Sequence, residues 1–220
     1  MTVSRKLATR PSQGRKSGTR SRVNGRLVEI ADAALIVLAR VGSRGLTHRE
    51  VDRTLAIAEG STSAYYRTRA DLLAAAANRL CELDLLDVHG QVRLANASSE
   101  RIDPEYFANR LAATFTDWLS GGKRERTLAR CELFLEASRD EQLKKIMART
   151  QRAFLRQTQN FFRAMKAKDP SRAGEVFVDF ALGLLYGRAT SFSRPISQAK
   201  LKRLIYGAVI SVIGKPLSDG

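Results

Sequence analysis

Two pairs of helix-capping residues in one short stretch constrain the fold of this chain most tightly. Thr47 stands three residues before Glu50, and Thr68 stands three residues before Asp71. In a capping box the hydroxyl accepts a hydrogen bond from the N–H three residues later, and the acid reaches back to the cap. One helix is therefore predicted to begin just after Thr47 and another just after Thr68. Only short helices fit between the two starts.

The remainder of the chain is also predicted to be helical. Apolar residues recur at steps of three and four from Val23 to Val41, which indicates an amphipathic helix that Gly42 ends. A long helix rich in Ala and Leu follows the second capping box toward Leu86. Asp103-Pro104 and Asp169-Pro170 each place a capping acid before a proline suited to the first helical position. We expect helices near 104–119, 123–138 and 140–167, with two more after Pro170 and Pro195. Because no stretch alternates like a strand, the predicted fold class is all-α.

The charge of the chain favours an anionic partner, either nucleic acid or a membrane surface. Lys and Arg number 38 against 22 Asp and Glu, for a formal net charge of +16. Residues 1–26 carry +8 of this excess, whereas residues 27–69 carry only +1. Residues 1–21 are nearly free of large apolar side chains, so we expect a flexible basic arm there.

The basic arm has two interpretations, a DNA-binding extension and a simple solubility tail. Its six basic residues could neutralise about six phosphates, each of which adds about −0.9 to the salt slope of binding. Such arms also enter minor grooves. If the arm binds DNA, deletion of residues 2–20 weakens binding to all sequences alike and flattens its salt dependence. An unchanged slope would reject that interpretation.

The residues needed for several other classes of protein are missing from the sequence. Cys81 and Cys131 are the only cysteines, and His48 and His89 the only histidines. Their spacing fits neither a disulfide framework nor a zinc site, so we expect reduced thiols, no metal and no cofactor. No nucleophile–base arrangement, P-loop or GxGxxG motif is readable, and we expect no catalytic residues. No signal peptide or run of about 18 apolar residues is present, which predicts a cytoplasmic protein without a membrane partner.

The stretch between the capping boxes matches a helix-turn-helix arrangement. A capped short helix, a break at residues 56–58 and a second short helix at 59–64 rest on the preceding amphipathic helix. The second helix of such a unit enters a major groove. The side chains at Gly60, Ser61 and Ser63 are small enough for the backbone to approach DNA closely. The serine hydroxyls can form hydrogen bonds to phosphates or base edges. The alternative is a small helical module whose Ser and Thr residues serve only as caps.

Residues Gly45 to Leu73 resemble, without gaps, the TetR family of transcriptional repressors. The resemblance implies a three-helix DNA-binding domain over residues 22–68 and a larger ligand-binding and dimerisation domain over 69–220. It also implies that Thr62 and Tyr66 point inward and that Arg49 reaches a guanine edge. The DNA-binding residues that it implies are Arg44, Thr47, His48, Arg49, Gly60, Ser61, Ser63, Tyr65 and Arg69.

Three positions depart from the family pattern within this stretch. The usual glycine of the turn is Ala56, the usual serine cap of the recognition helix is Ala58, and the usual phosphate-binding tyrosine is Ser63. Each change weakens a family contact without removing the helix-turn-helix arrangement.

The C-terminal part carries most of the aromatic residues, with thirteen of the fifteen after residue 100. We therefore expect the bulk of the core there. By the family resemblance, inward faces of the middle helices enclose a pocket for a small-molecule effector. Its candidate lining residues are Phe115, Trp118, Cys131, Phe134, Phe154 and Phe161. An aromatic stripe at helical spacing is also typical of a plain hydrophobic core. The sequence shows no group of polar residues that would identify the ligand.

The last two helices carry apolar stripes and two glycines four residues apart. Family members pair these helices across a two-fold axis, so the resemblance implies a homodimer that reads a near-palindromic operator. The candidate interface residues are Phe180, Gly183, Leu184, Gly187, Leu201, Ile205 and Ala208. The alternative is that these stripes are buried within one subunit.

These features predict a DNA-binding transcriptional regulator, most simply a repressor that a small-molecule effector releases from double-stranded DNA. A non-specific nucleoid-associated or architectural DNA-binding protein is the alternative from another class. Specific binding that persists in excess random DNA, at a ratio of roughly a thousandfold or more, separates the two.

Overall fold

The computed structural model describes residues 15–97, 102–191 and 195–214, and within these ranges the regular secondary structure is entirely helical. The all-α prediction is confirmed. The basic arm lies largely outside the described residues, since these start at residue 15. The helices are α1 (Arg15–Gly45), α2 (His48–Thr54), a 3-10 turn (Thr62–Ala64), α3 (Arg69–Ala97), α4 (Pro104–Trp118), α5 (Gly121–Ala137), α6 (Glu141–Ala164), α7 (Pro170–Ala189) and α8 (Gln198–Ile213).

The helix starts follow the capping residues found in the sequence. Thr47 caps α2 and accepts a hydrogen bond from the N–H of Glu50 at 3.2 Å, although the Glu50 carboxylate pairs with Arg53 instead of the cap. At the second box both reciprocal bonds form, because Thr68 N–H donates to the Asp71 carboxylate and Asp71 N–H donates to the Thr68 hydroxyl. The acidic caps before the prolines of α4 and α7 are confirmed as well.

The first helix differs from the prediction at its start, whereas the predicted break at Gly42 is confirmed. It begins at Arg15, before the predicted start near Arg22, and one turn continues beyond Gly42 to Gly45. The regular helix is nevertheless interrupted at Gly42, whose φ of 72° and ψ of 179° are not helical. Glycine adopts this positive φ without the steric penalty that a Cβ brings. The interruption turns the chain toward α2.

The core consists of two clusters of different composition. One is largely aliphatic and joins α1, α2 and α3 to α5 and α6, with Ile30, Leu38 and Leu72 fully buried. The other joins α4, α6, α7 and α8 around Phe107, Phe162 and Phe177. Most of the described buried apolar residues follow residue 100, as expected, although aliphatic residues of α1 and α3 supply much of the first cluster.

The end of α1 is bound to α5 by polar contacts as well as by apolar packing. The backbone N–H of Ser43 donates to Glu132 at 3.0 Å, and its hydroxyl donates to Glu136 at 2.6 Å. Arg40 pairs with Glu125 one turn earlier. These contacts fix the position of the α1–α2 corner relative to α5. Over the described ranges, no helix combines the length and apolar character required to cross a membrane.

Candidate functional site

The segment from α2 to the 3-10 turn is held in an unusual backbone conformation. After α2 the chain turns through Ala56, which has a positive φ of 52°. Gly60 follows with a φ of 89°, so a helix cannot extend through it. Only Thr62–Ala64 form a 3-10 turn, and the second short helix predicted for 59–64 is therefore wrong in extent. We call residues 47–69 the reading head.

One buried carboxylate, which the sequence analysis missed, holds the two parts of the reading head together. Asp52 of α2 is only 2% exposed and accepts bonds from Gly60 N–H at 2.8 Å, Thr62 N–H at 2.9 Å and the Thr62 hydroxyl at 2.5 Å. Burial raises the pKa of Asp52, but these bonds and the nearby His48 outweigh burial, and its pKa lies below the ordinary value. The sequence signal for this role of Asp52 was its position next to Val51, a predicted buried residue of a short amphipathic helix.

Most residues predicted to bind DNA lie at the surface of the reading head or beside it. The exposed ones are Arg44, Thr47, Arg49, Gly60, Ser63, Tyr65 and Arg69, whereas His48 and Ser61 are half-buried. Thr62 is fully buried and Tyr66 packs against the aliphatic cluster, which confirms the inward positions. The hydroxyls of Ser61 and Ser63 donate to the carbonyls of Ala58 and Gly60, so their lone pairs remain available to an outside donor.

Three of these side chains also have partners within the chain. His48 Nε2 lies 2.7 Å from the Tyr66 carbonyl, and Arg69 donates to the Ser43 carbonyl at the end of α1. Arg49 pairs with Glu59 at 2.9 Å, and both side chains are more than two-thirds exposed at 72% and 67%. An exposed ion pair of this kind contributes little to the stability of the fold. Arg49 can therefore exchange Glu59 for another acceptor at small cost.

A second candidate site is a cavity between α3, α4, α5, α6 and α7. Its volume is about 1160 Å³, including the open space at its mouth. Aromatic rings form much of its wall, and Trp118 stacks with Phe115 and meets Phe154 edge-on. Polar side chains of α6 complete the lining, with Thr150, Gln151, Gln157 and Thr158 among them. An apolar cavity with a few polar groups is the usual form of a small-molecule site.

One buried and one half-buried ion pair lie at one side of the cavity. Arg130 is 3% exposed and directs Nε and Nη2 at the Asp84 carboxylate, while Arg126 pairs with Asp87. Asp87 also accepts a bond from the indole N–H of Trp118 at 2.9 Å. Burial lowers the pKa of Arg130, but the charge of Asp84 and its hydrogen bonds outweigh burial and raise it. Arg130 is therefore a permanent cation at the cavity wall.

The predicted pocket residues occupy different places around this cavity. Phe115, Trp118, Phe134, Phe154 and Phe161 line it, together with Phe107 and the two acids of α3, which the sequence analysis did not name. Cys131 is not among the lining residues, and its thiol donates to the Thr127 carbonyl along α5. A signal for the acids existed, since Asp84 and Asp87 stand three residues apart on one face of an Ala- and Leu-rich helix.

The candidate dimer residues divide between the surface and the interior. Leu201 and Ile205 are 1% and 0% exposed because they pack into the aromatic cluster, so they offer no surface to a second chain. Phe180 and Gly183 are exposed, and Leu184, Gly187 and Ala208 are half-buried. The exposed large apolar residues of α7 and α8 are instead Val176, Phe180, Leu204, Tyr206 and Ile210.

No metal-binding cluster is visible in the part of the chain that the structure describes, where no three His, Cys, Asp or Glu side chains converge. Cys81 and Cys131 are free thiols, and burial raises the pKa of both. The reading head and the cavity are thus the two places where the described residues assemble recognisable chemistry.

Residues 103–210, about half of the chain, match the family model of the tetracyclin repressor-like C-terminal domain. No curated protein sequence matches the chain. Among solved structures, the chain is similar to a protein from Saccharomonospora viridis described as a transcriptional regulator, in complex with choline. The two share 13% identity and a TM-score of 0.71 over 85% of this chain and 96% of that one.

Two further structures have the same fold. A member of the TetR family from Streptomyces coelicolor shares 24% identity with a TM-score of 0.59, over 82% of this chain and 95% of that one. The multidrug binding protein EbrR, complexed with ethidium, shares 23% identity with a TM-score of 0.58, over 83% of this chain and 98% of that one. These similarities confirm a helix-turn-helix unit followed by a helical body.

Proposed function

We propose that this chain, which belongs to the TetR family of transcriptional regulators, is a cytoplasmic repressor that acts as a homodimer on a near-palindromic operator in double-stranded DNA. A small molecule in the cavity releases it from DNA. The proposed domains are the basic arm of residues 1–21, a DNA-binding domain of residues 22–68 and a ligand-binding and dimerisation domain of residues 69–220. As a non-enzymatic regulator it has no catalytic residues and no cofactor.

The observation that carries this proposal is the rigid, exposed polar surface of the reading head. Asp52 fixes the 3-10 turn against α2, so that Arg49, Ser63 and Tyr65 lie on the outside. A preformed surface of this kind avoids the entropic cost of ordering loops on binding. Arg49 supplies a forked donor that suits guanine, and the serine oxygens accept from base amino groups.

A near-neutral reading head favours a sequence-specific function over non-specific coating of DNA. Non-specific binding comes almost entirely from neutralised phosphates. Residues 47–69 carry four arginines and three acids, for a net charge of only +1, although the whole chain has +16. The alternative, an architectural DNA-binding protein, would gain more from a strongly basic surface at this position.

The contacts of α5 offer a route from the cavity to the reading head. Arg130 and Phe134 of this helix line the cavity, while Glu132 and Glu136 hold Ser43 at the end of α1. A ligand that binds one arrangement of α5 better than another shifts the population of reading-head positions. We propose that this shift moves the two heads of a dimer out of register with successive major grooves.

The exposed apolar residues of α7 and α8 support the proposed homodimer. Val176 and Phe180 of α7 and Leu204 and Ile210 of α8 are each at least 36% exposed, and a dimer formed through these two neighbouring helices would remove them from water. Sedimentation equilibrium tests this proposal with Leu204→Glu, which places a charge on this face. The variant should be monomeric, whereas Leu135→Glu, at an exposed position on α5, should remain dimeric.

Selection of bound sequences from a random DNA pool tests the proposed function directly. A repressor of this kind enriches one near-palindromic site and keeps it bound in excess random DNA, at a ratio of roughly a thousandfold or more. Enrichment of no sequence would favour the architectural alternative. Repetition of the selected complex with a library of small molecules then tests release by an effector.

A further inference from the structure

Arg130, in the wall of the cavity, carries a strong hydrogen-bond donor that the described part of the chain leaves without an acceptor. The guanidinium of Arg130 lines the cavity and is 3% exposed. Its Nε and Nη2 both donate to Asp84, but Nη1 is buried and has no partner. An unmet donor on a buried charged group costs stability, and the group gains when an acceptor arrives.

The charges around this donor disfavour a cationic ligand. Both acids of the wall are already occupied, Asp84 by the two arginines and Asp87 by Arg126 and the indole of Trp118. Arg110 adds another basic residue to the lining. A cation would therefore enter beside arginines, with no unpaired carboxylate among the described residues of the wall to receive it.

The aromatic face that could attract a cation is also occupied. The Cζ atom of Arg130 lies 4.8 Å from the Trp118 ring centroid, and that of Arg126 lies 5.7 Å from it. A cation attracted to the indole would have to approach these two guanidinium groups. Most of the remaining wall is aliphatic and aromatic and suits an apolar body, and the Thr and Gln side chains of α6 add only neutral polar groups.

We propose that the cavity selects amphipathic molecules with a hydrogen-bond acceptor at one end, a carboxylate or a carbonyl, which takes the free Nη1 of Arg130. The apolar body of the ligand lies along Phe115, Phe154 and Phe161. This inference rests on the proposed function in that the ligand is taken to be the effector. Carboxylates and carbonyls share the acceptor oxygen, and the test distinguishes them by their charge.

A series of alkyl compounds with matched chains tests the proposal. Carboxylates, methyl ketones and trimethylammonium salts with chains of six to twelve carbons are titrated into the full-length protein. Trp118 is the single tryptophan of the chain and lines the cavity, so its fluorescence reports binding directly. At equal chain length the acceptor compounds should bind about tenfold more tightly, or better, than the ammonium salts.

Substitution of Arg130 separates its donor from its charge. Arg130→Lys keeps the positive charge beside Asp84 but loses the planar fork, and it should abolish the preference for acceptor compounds. Arg124→Lys is the matched control, because this arginine bonds the Ala189 carbonyl and does not line the cavity. If Arg130→Lys fails to fold, the head-group comparison in the parent protein is decisive alone. A carboxylate and a ketone that bind alike identify the neutral acceptor as sufficient.

Tighter binding of the ammonium salts, or no binding by any member of the series, would overturn the inference. The DNA selection described above gives an independent result. A protein that enriches an operator but shows no head-group preference keeps its proposed function and loses this inference. A protein that prefers acceptor compounds but enriches no DNA sequence loses the proposed function and keeps the ligand preference.

Discussion

The reading head and the cavity both bury a carboxylate, but they satisfy it in opposite ways. Asp52 receives three bonds from neutral donors of the same short segment, and none of these donors remains for an outside molecule. Asp84 is paired with Arg130 of another helix, and the pairing leaves one guanidinium nitrogen without an acceptor. A network in which every donor is paired holds a surface in place. A network with an unpaired donor can bind a ligand.

The largest effect on stability is expected from the buried ion pair in the cavity wall. Asp84→Ala leaves Arg130 buried without its counterion, and loss of one partner of a buried ion pair costs about 3–5 kcal/mol. The free energy of unfolding in urea measures this loss. Asp117→Ala removes the exposed partner of Lys123 and should cost about 1 kcal/mol or less. Equal losses in the two variants would mean that the buried pair contributes no more to stability than an exposed pair.

A smaller loss is expected from the carboxylate of the reading head. Asp52→Asn replaces a charged acceptor of three bonds by an amide, and bonds to a charged group contribute about 1.5–3 kcal/mol. Urea unfolding measures stability, and operator binding should weaken because the 3-10 turn loosens. Asp71→Asn is the control, since Asp71 is exposed and caps α3. An unchanged stability of Asp52→Asn would show that the network does not hold the head.

The same carboxylate predicts a pH dependence with a definite sign. The folded pKa of Asp52 lies below its ordinary value of 3.8, so its contribution to stability is complete above that pH and is lost as the pH falls through the folded value. The stability difference between the parent and Asp52→Asn should be largest near neutral pH and shrink below about pH 4. A difference that grows on acidification would give the opposite sign and exclude this account.

The surface of the reading head should affect specificity more than stability. Arg49→Ala is expected to lose roughly 1–3 kcal/mol of discrimination at one base position, with little change in unfolding. Binding to a panel of single-base operator variants measures it. Glu59→Ala removes only the exposed partner of Arg49 and should keep the discrimination. If Arg49→Ala binds every sequence as the parent does, this arginine does not read a base.

The smallest expected effect is a gain in stability at the turn. Ala56 has a φ of 52°, a conformation that costs an L-residue about 1–2 kcal/mol. Ala56→Gly removes this cost but adds about 0.5–1 kcal/mol of chain entropy in the unfolded state, so a net gain of about 0.5–1 kcal/mol is expected. Thermal unfolding measures it. Ala58→Gly, at a position without a positive φ, should give no gain.

Local signals in the sequence located much of the fold and part of each candidate site. The capping boxes at Thr47 and Thr68 were readable because a cap bonds to a backbone group only three residues away. The exposed positions of the reading head followed from the family resemblance over the same short segment. The role of Asp52 was not readable, because its partners depend on a turn whose positive φ values at Ala56 and Gly60 the sequence does not display.

The cavity was harder to predict because five helices contribute to it. Helical spacing indicated that Phe115, Trp118 and Phe154 face inward, but spacing could not tell a filled core from an open one. It also could not show that Cys131 bonds along its own helix. For the same reason the apolar stripe of α8 led to Leu201 and Ile205 as interface residues, although they are buried within the subunit.

The sequence by itself determined that this chain is helical and where most helices begin, because backbone caps and apolar periodicity act over a few residues. Only the tertiary structure decided how the helices share their faces. It places Arg130 against Asp84 across two helices, leaves space beside Trp118, and turns one face of α8 inward and another outward. These outcomes depend on packing between residues far apart in the chain, where many arrangements satisfy the same periodicity.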